Sequence, residues 1–174
     1  MTQVRLRPVE TDDVGAVASL LAHPDLVCRR GLHRDRNVAR SVAALTKSVE
    51  TLVEPDHGDA WVVDVDGVVG LATVGWWWDA HTPWANVVID PAHQRRGHGS
   101  AAAGLIFGRL FGDTPALLVE YSVPSWDAGS LSFADSLGGD RIGVSRRTGV
   151  RKGRYVDTVR FALSRAAWEV AHGD

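Results

Sequence analysis

The chain has 174 residues, 45% hydrophobic and 23% charged, which suits a globular protein with one sizeable core and excludes a disordered or fibrous one. Its net charge of −2 gives no general attraction to nucleic acid or anionic lipid, and its single cysteine, Cys28, excludes an internal disulfide. No stretch approaches the ~20 apolar residues of a membrane span, and Met1 to Arg7 holds no apolar signal core, so a cytoplasmic protein is expected.

Val4, Leu6 and Pro8 mark a first edge strand. Thr11 or Asp12 can cap a helix running to Leu21, with Val14, Val17, Ala18 and Leu21 on its buried side. Residues 22 to 36 are polar and read as a loop. Val38, Val42, Leu45, Val49 and Leu52 keep helical spacing from about Asn37 to Val53, and Pro55-Asp56-His57-Gly58 breaks that helix. Trp61 to Val65 and Val68 to Trp78 are two strands joined at Asp66-Gly67, a strong hairpin signal. Asp79 to Pro83 is a loop.

Next come a strand, a turn and a helix. Asn86 to Ile89 is mostly apolar and β-branched, and Pro91 closes it. After Gly99, Ala102, Leu105, Ile106 and Leu110 share one helical face. Between strand and helix lie Gln94, Arg95, Arg96, Gly97, His98, Gly99 and Ser100. Glycine lets backbone approach a ligand closely, and the first turn of a helix offers unpaired N–H groups and partial positive charge. Two arginines add to that field. The pattern is an anion cradle suited to a phosphate or pyrophosphate.

Ala116 to Val123 is a further strand. Asp127 is placed to cap a helix from Ala128 to Leu137, which Gly138-Gly139 stops. Arg141 to Arg147 and Asp157 to Ser164 form a closing antiparallel pair around a basic loop, Arg151-Lys152-Gly153-Arg154. Arg165 to Val170 is a short helix or tail. No repeat or linker interrupts the chain, so residues 1–174 are expected to form a single domain of mixed α/β class.

The stretch Gln94-Arg95-Arg96-Gly97-His98-Gly99, behind Val87-Val88-Ile89-Asp90-Pro91, resembles the acetyl-CoA-binding motif of the GNAT superfamily of acyl-CoA N-acyltransferases. The order of elements matches as well. The resemblance implies a central mixed, mostly antiparallel sheet of about seven strands flanked by about four helices. The tail from Gly153 to Trp168 is similar to the ribosomal-protein N-terminal acetyltransferase branch. The activity implied is transfer of acetyl from acetyl-CoA, a co-substrate, to a primary amine within a ternary complex. The acceptor is a small molecule or a peptide N-terminus. The aromatic cluster and the lack of a broad acidic groove favour the small molecule. A non-catalytic acyl-CoA-binding module is the reading from another class, and a homodimer is left open.

The resemblance also assigns residues. Val87, Val88 and Ile89 would lie along the pantetheine arm. Arg95, Arg96, Gly97, His98, Gly99 and Ser100 would hold the pyrophosphate, mainly through main-chain N–H groups. Glu120, in Leu118-Val119-Glu120-Tyr121, sits where some members carry a base; alternatively it faces solvent or pairs with an arginine. His81 and Asp79 are rivals. The tyrosine that many members use as acid falls on Ala134, which leaves Ser130, Tyr121 or water to serve the thiolate. Trp76, Trp77, Trp78 and Trp84 line either an acceptor pocket or the sheet core. The histidines lack ligand spacing, so no metal is expected.

Overall fold

A computed structural model describes residues 3–27, 42–53 and 59–172. Cys28, the loop from 28 to 36, the start of the helix expected at Asn37 and the break at Pro55 to Gly58 lie outside the described residues.

Seven strands form one sheet in the order β1-β2-β3-β4-β5-β7-β6. They are β1 (Arg5–Pro8), β2 (Ala60–Asp64), β3 (Val68–Trp76), β4 (Pro83–Ile89), β5 (Leu118–Pro124), β6 (Asp140–Arg151) and β7 (Arg154–Ser164). Every neighbouring pair is antiparallel except β4 and β5, which run parallel. This is the mixed, mostly antiparallel seven-stranded sheet that the sequence implied. Six helices among the described residues flank it, two more than expected: α1 (Val14–Ala22), α2 (Pro24–Val27), α3 (Val42–Glu50), α4 (His98–Asp113), α5 (Ala128–Ser136) and α6 (Arg165–His172).

The helices divide between the two faces by the alternation of the strands. On one face Val17, Leu21, Leu45 and Val49 of α1 and α3 pack against Val62, Leu71 and Val88. On the other, Ala102, Ile106, Phe107, Leu110 and Phe111 of α4 pack against Ala72, Ala85, Ile89, Val119 and Phe161. Each large side chain sequestered this way is worth about 1.5–3 kcal/mol. Leu105, expected on the buried face of α4, is 42% exposed; Ala103 and Phe107 occupy the stripe instead.

Charge fixes the first elements. Arg7 spans two buried carboxylates, donating to Asp13 at 2.6 and 2.8 Å and to Asp64 at 2.9 Å. Asp13 also accepts the Glu10 N–H at 2.9 Å, so the helix start is tied by Asp13 rather than by Thr11 or Asp12.

The last hairpin is longer than expected. The loop is not Arg151 to Arg154 but the two residues Lys152 and Gly153, with φ of 49° and 74°, a pattern that suits a tight hairpin turn. Arg165 begins α6 and is not a loose tail. Its guanidinium donates to the carbonyls of Phe111, Thr114 and Ala116, at 2.8 Å to Thr114 and 2.7 Å to Ala116. These carbonyls lie at and just past the end of α4, where a cation is favoured.

Candidate functional site

β4 and β5 meet in register at one pair, Trp84 with Glu120. By contrast β3/β4 and β5/β7 stay paired along their lengths. Beyond Trp84 and Glu120 the parallel strands separate. Their C-terminal halves become the two walls of a cavity of about 360 Å³, with Asn86 to Ile89 on one side and Ser122 to Pro124 on the other.

The turn between β4 and α4 closes one end. Asp90 accepts the Ala92 N–H at 2.7 Å and opens a short 3-10 turn at Pro91–His93. The Gln94 amide then donates to the Ile89 carbonyl at 2.9 Å, lashing the loop to the strand end. Arg95 has φ of 59°, and Gly97, the N-cap of α4, has φ of 82°. Left-handed backbone at Gly97 is where glycine is needed. Intrahelical bonding starts with the Ala101 N–H to the Gly97 carbonyl at 3.0 Å. The N–H groups of His98, Gly99 and Ser100 precede that first bond and belong to the turn that bounds the cavity. A Cβ on Gly99 would lie 3.4 Å from the Phe133 ring, so the helix start fits closely against α5.

From α5, Asp127, Gly129, Ser130 and Phe133 reach the cavity. Asp127 caps that helix, accepting the N–H groups of Gly129 and Ser130 at 3.2 and 3.3 Å. Its second oxygen takes the Ser130 hydroxyl at 2.8 Å. α2 adds Leu26.

The sequence-derived candidates divide between those at the cavity and those outside it. Val87, Val88, Ile89, Arg95, Gly97, Gly99, Ser100 and Ser130 all line it, whereas Arg96 and His98 do not. Glu120 is not on the wall either. It lies two residues before Ser122 on the same strand face, and its Oε2 accepts from Arg160 at 2.7 Å. Tyr121 points the other way. Its buried hydroxyl donates to the Ala134 carbonyl at 3.1 Å and accepts the Gly139 N–H at 3.1 Å, with burial pushing its pKa up to about 12. A group so held has no proton to offer the cavity. His81 is at the opposite end of the strands, donating to the Pro115 carbonyl at 2.9 Å, while Asp79 accepts the His81 N–H at 2.6 Å.

The tryptophans also stay off the cavity wall. Trp76 donates to Asp59 at 3.1 Å, and Trp84 covers Gly75, whose missing Cβ leaves room for its ring. Trp77 and Trp78 are 50% and 92% exposed, past the end of β3. Among the wall residues that sequence reasoning missed are Asn86, Ser122 and Leu26. Alternation from Glu120 and Val88 would have found the first two; Leu26 carries no local signal. Among the described residues no cluster of His, Cys, Asp or Glu is placed to hold a metal, and no helix is long and apolar enough to cross a membrane.

Comparison with known proteins agrees with this geometry. The family model described as the acetyltransferase (GNAT) family matches residues 29–138, more than half of the chain. No curated protein matches the sequence. Among solved structures, spermidine N-acetyltransferase from Vibrio cholerae in complex with CoA and spermine superposes with a TM-score of 0.82 at 16% identity, covering 97% of this chain and 99% of that one. A GNAT-family acetyltransferase from Bacillus anthracis gives 0.79 at 16% identity, covering 94% and 96%. The yncA protein of Salmonella typhimurium, with its cofactor acetyl-CoA, gives 0.69 at 22% identity, covering 93% and 94%. At these identities the likeness speaks for the fold.

Proposed function

The chain belongs to the GNAT family of acetyltransferases, and on that premise we propose that it moves an acetyl group from acetyl-CoA to the primary amine of a small molecule, by direct transfer in a ternary complex. The observation that carries the reading is the coincidence of two features in one cavity. The parallel strands part where a thioester arm could lie between them, and the glycine-bearing start of α4 stands at the end of that gap.

In this reading one domain does all the work. Main-chain N–H groups of the turn from Arg95 to Ser100 grip the pyrophosphate. Arg95 adds charge from the wall and Arg96 from outside it, and His98 contributes backbone alone. The backbone of Val87, Val88 and Ile89 runs beside the pantetheine and aims an N–H at the thioester carbonyl, polarising it toward attack. The amine must shed a proton before it attacks. Glu120 takes that role across the short gap to Ser122, through the oxygen that Arg160 leaves open or through one water. Ser130 is one of the hydroxyls on the wall; it donates to Asp127 in the resting site and serves the departing thiolate by turning from that carboxylate. Tyr121 has no part in the chemistry. The single cysteine fits a reducing, cytoplasmic setting.

The test is thiol release from acetyl-CoA with a panel of amines and with peptides bearing free N-termini. Release that depends on a small amine supports the reading. Preference for peptides would replace the acceptor class. Stabilisation by CoA with no release under any condition would reduce the protein to a binding module.

A further inference from the structure

The β6–β7 hairpin carries seven lysines and arginines against two aspartates between residues 140 and 164, in a chain whose net charge is −2. Two of those cations are neutralised. Arg141 pairs with Asp135 at 2.5 Å, and Arg160 pairs with Glu120 at 2.7 Å. Arg146, Arg147, Arg151, Lys152 and Arg154 form no ion pair with a described residue.

The hairpin holds this surplus beside the β5 wall of the cavity, at the end where Pro124 lies. β5 and β7 stay paired as far as Pro124 opposite Thr158, and Pro124 is on the cavity wall. β7 begins four residues earlier, at Arg154, so the hairpin tip projects past the end of β5. Two contacts fix it there. The Ser125 N–H donates to the Asp157 carbonyl at 2.9 Å, and the Arg151 guanidinium lies 3.7 Å from the centre of the Trp126 ring. Trp126 is next to Asp127, a wall residue. Arg160, opposite Ser122 in register, sets a guanidinium on the same strand face, paired there with Glu120.

We propose that this hairpin selects the acceptor, and that the acceptor is a primary amine carrying a carboxylate or phosphate group. The proposal rests on the transferase reading above and adds the acceptor's charge to it. A compact anion within reach of several cations is drawn in over roughly one Debye length, about 8–10 Å at ordinary salt. A polyamine meets the opposite field. Spermine is held by the Vibrio cholerae protein of the same fold, but here it would approach a positive rim. Arginine also suits the anion for a geometric reason, because its planar fork matches carboxylate and phosphate oxygens in pairs. The Glu120–Arg160 pair repeats that logic in miniature: a carboxylate for the ammonium end of the acceptor, a guanidinium for its anionic end.

The test uses matched amines with the whole protein. Thiol release from acetyl-CoA is followed with β-alanine against propylamine, O-phosphoethanolamine against ethanolamine, and spermidine. The two pairs separate a carboxylate requirement from a phosphate requirement. The anionic member of at least one pair should show the higher kcat/KM, and its advantage should shrink as salt rises. In the double variant Lys152→Asn with Arg154→Gln, kcat/KM for that anionic amine should fall roughly threefold to tenfold, the scale of exposed charge contacts. The neutral partner amine and the KM for acetyl-CoA should move less than about twofold. Spermidine or a neutral amine matching the best anionic amine would overturn the proposal and leave the transferase reading intact. A rise in the acetyl-CoA KM alone would give these cations to the cofactor, and an equal fall for every acceptor would make the hairpin merely structural; either overturns it. No thiol release with any amine would remove the transferase reading and this proposal together.

Discussion

Glu120 and Tyr121 are adjacent in sequence and opposite in circumstance. Strand alternation sends Glu120 to the face of Ser122 and Arg160 and sends Tyr121 into the packing of Phe107 and Phe161. Glu120→Gln should therefore lower kcat by about tenfold or more while CoA affinity, read by calorimetry, stays the same. An unchanged kcat would free Glu120 from the role of base. Tyr121→Phe should do the reverse. It removes the donor to Ala134 and the acceptor for Gly139, both partly or wholly out of water, at a cost of about 1–2 kcal/mol in denaturant stability. Its kcat should hold, and a large drop would restore Tyr121 to the reaction. Gly97 gives a third case. Its Cβ would meet nothing within 4 Å, so Gly97→Ala brings only the strain of a left-handed residue, about 1 kcal/mol. That strain should lower unfolding stability by about 1 kcal/mol, and because it falls on the turn itself CoA binding should weaken as well, by about fivefold for an equal cost.

The elements that sequence made legible are those whose periodicity needs no distant partner. β4, α4 and α5 announce themselves by Val87-Val88-Ile89, by the apolar stripe ending at Leu110 and by the Asp127 cap. The turn proposed to hold the cofactor was legible for the same reason, since it is one contiguous stretch. Leu26 was hidden because a helix of four residues leaves no pattern, and the exposure of Leu105 because it sits at the margin of its stripe. The extent of β6 was obscured by its own irregularity. Register shifts between Ser145 and Gly149, where Arg147 has φ of 55°, break the alternation that would have marked one long strand. Arg165 shows what no local pattern carries. Its partners Phe111, Thr114 and Ala116 are about fifty residues away in sequence, yet it closes the end of the helix whose beginning bounds the cavity. Replacing it by methionine keeps the stem and removes the charge. Urea unfolding should shift by about 2–3 kcal/mol, the range for hydrogen bonds to a charged group; a shift below 0.5 kcal/mol would mean water satisfies those carbonyls equally well.

Across the whole molecule, acid should unfold the protein through Arg7. This guanidinium holds the Asp13 and Asp64 carboxyls below their usual range, Asp13 and Asp64 each chiefly by hydrogen bonding to it. Both groups have lowered pKa values in the fold, so their contribution is complete above the unfolded value of about 3.9 and disappears as pH falls through the folded values. Melting temperature should be flat from pH 7 to about 5 and fall steeply below 4, and Arg7→Met should flatten that fall. An identical acid slope in the variant would assign it elsewhere. The gap between β4 and β5 has a consequence at the same scale. Past Trp84 and Glu120, peptide groups on the inner edges of two neighbouring strands lack the ladder that joins every other neighbour, so the sheet is two half-sheets with a seam. The pantetheine arm of CoA carries two amides of its own, and laid in that seam it acts as a surrogate strand. Bound CoA should then slow amide hydrogen exchange at residues 86–89 and 122–124 together, so that the molecule stiffens across its middle as the substrate that it will spend completes its architecture.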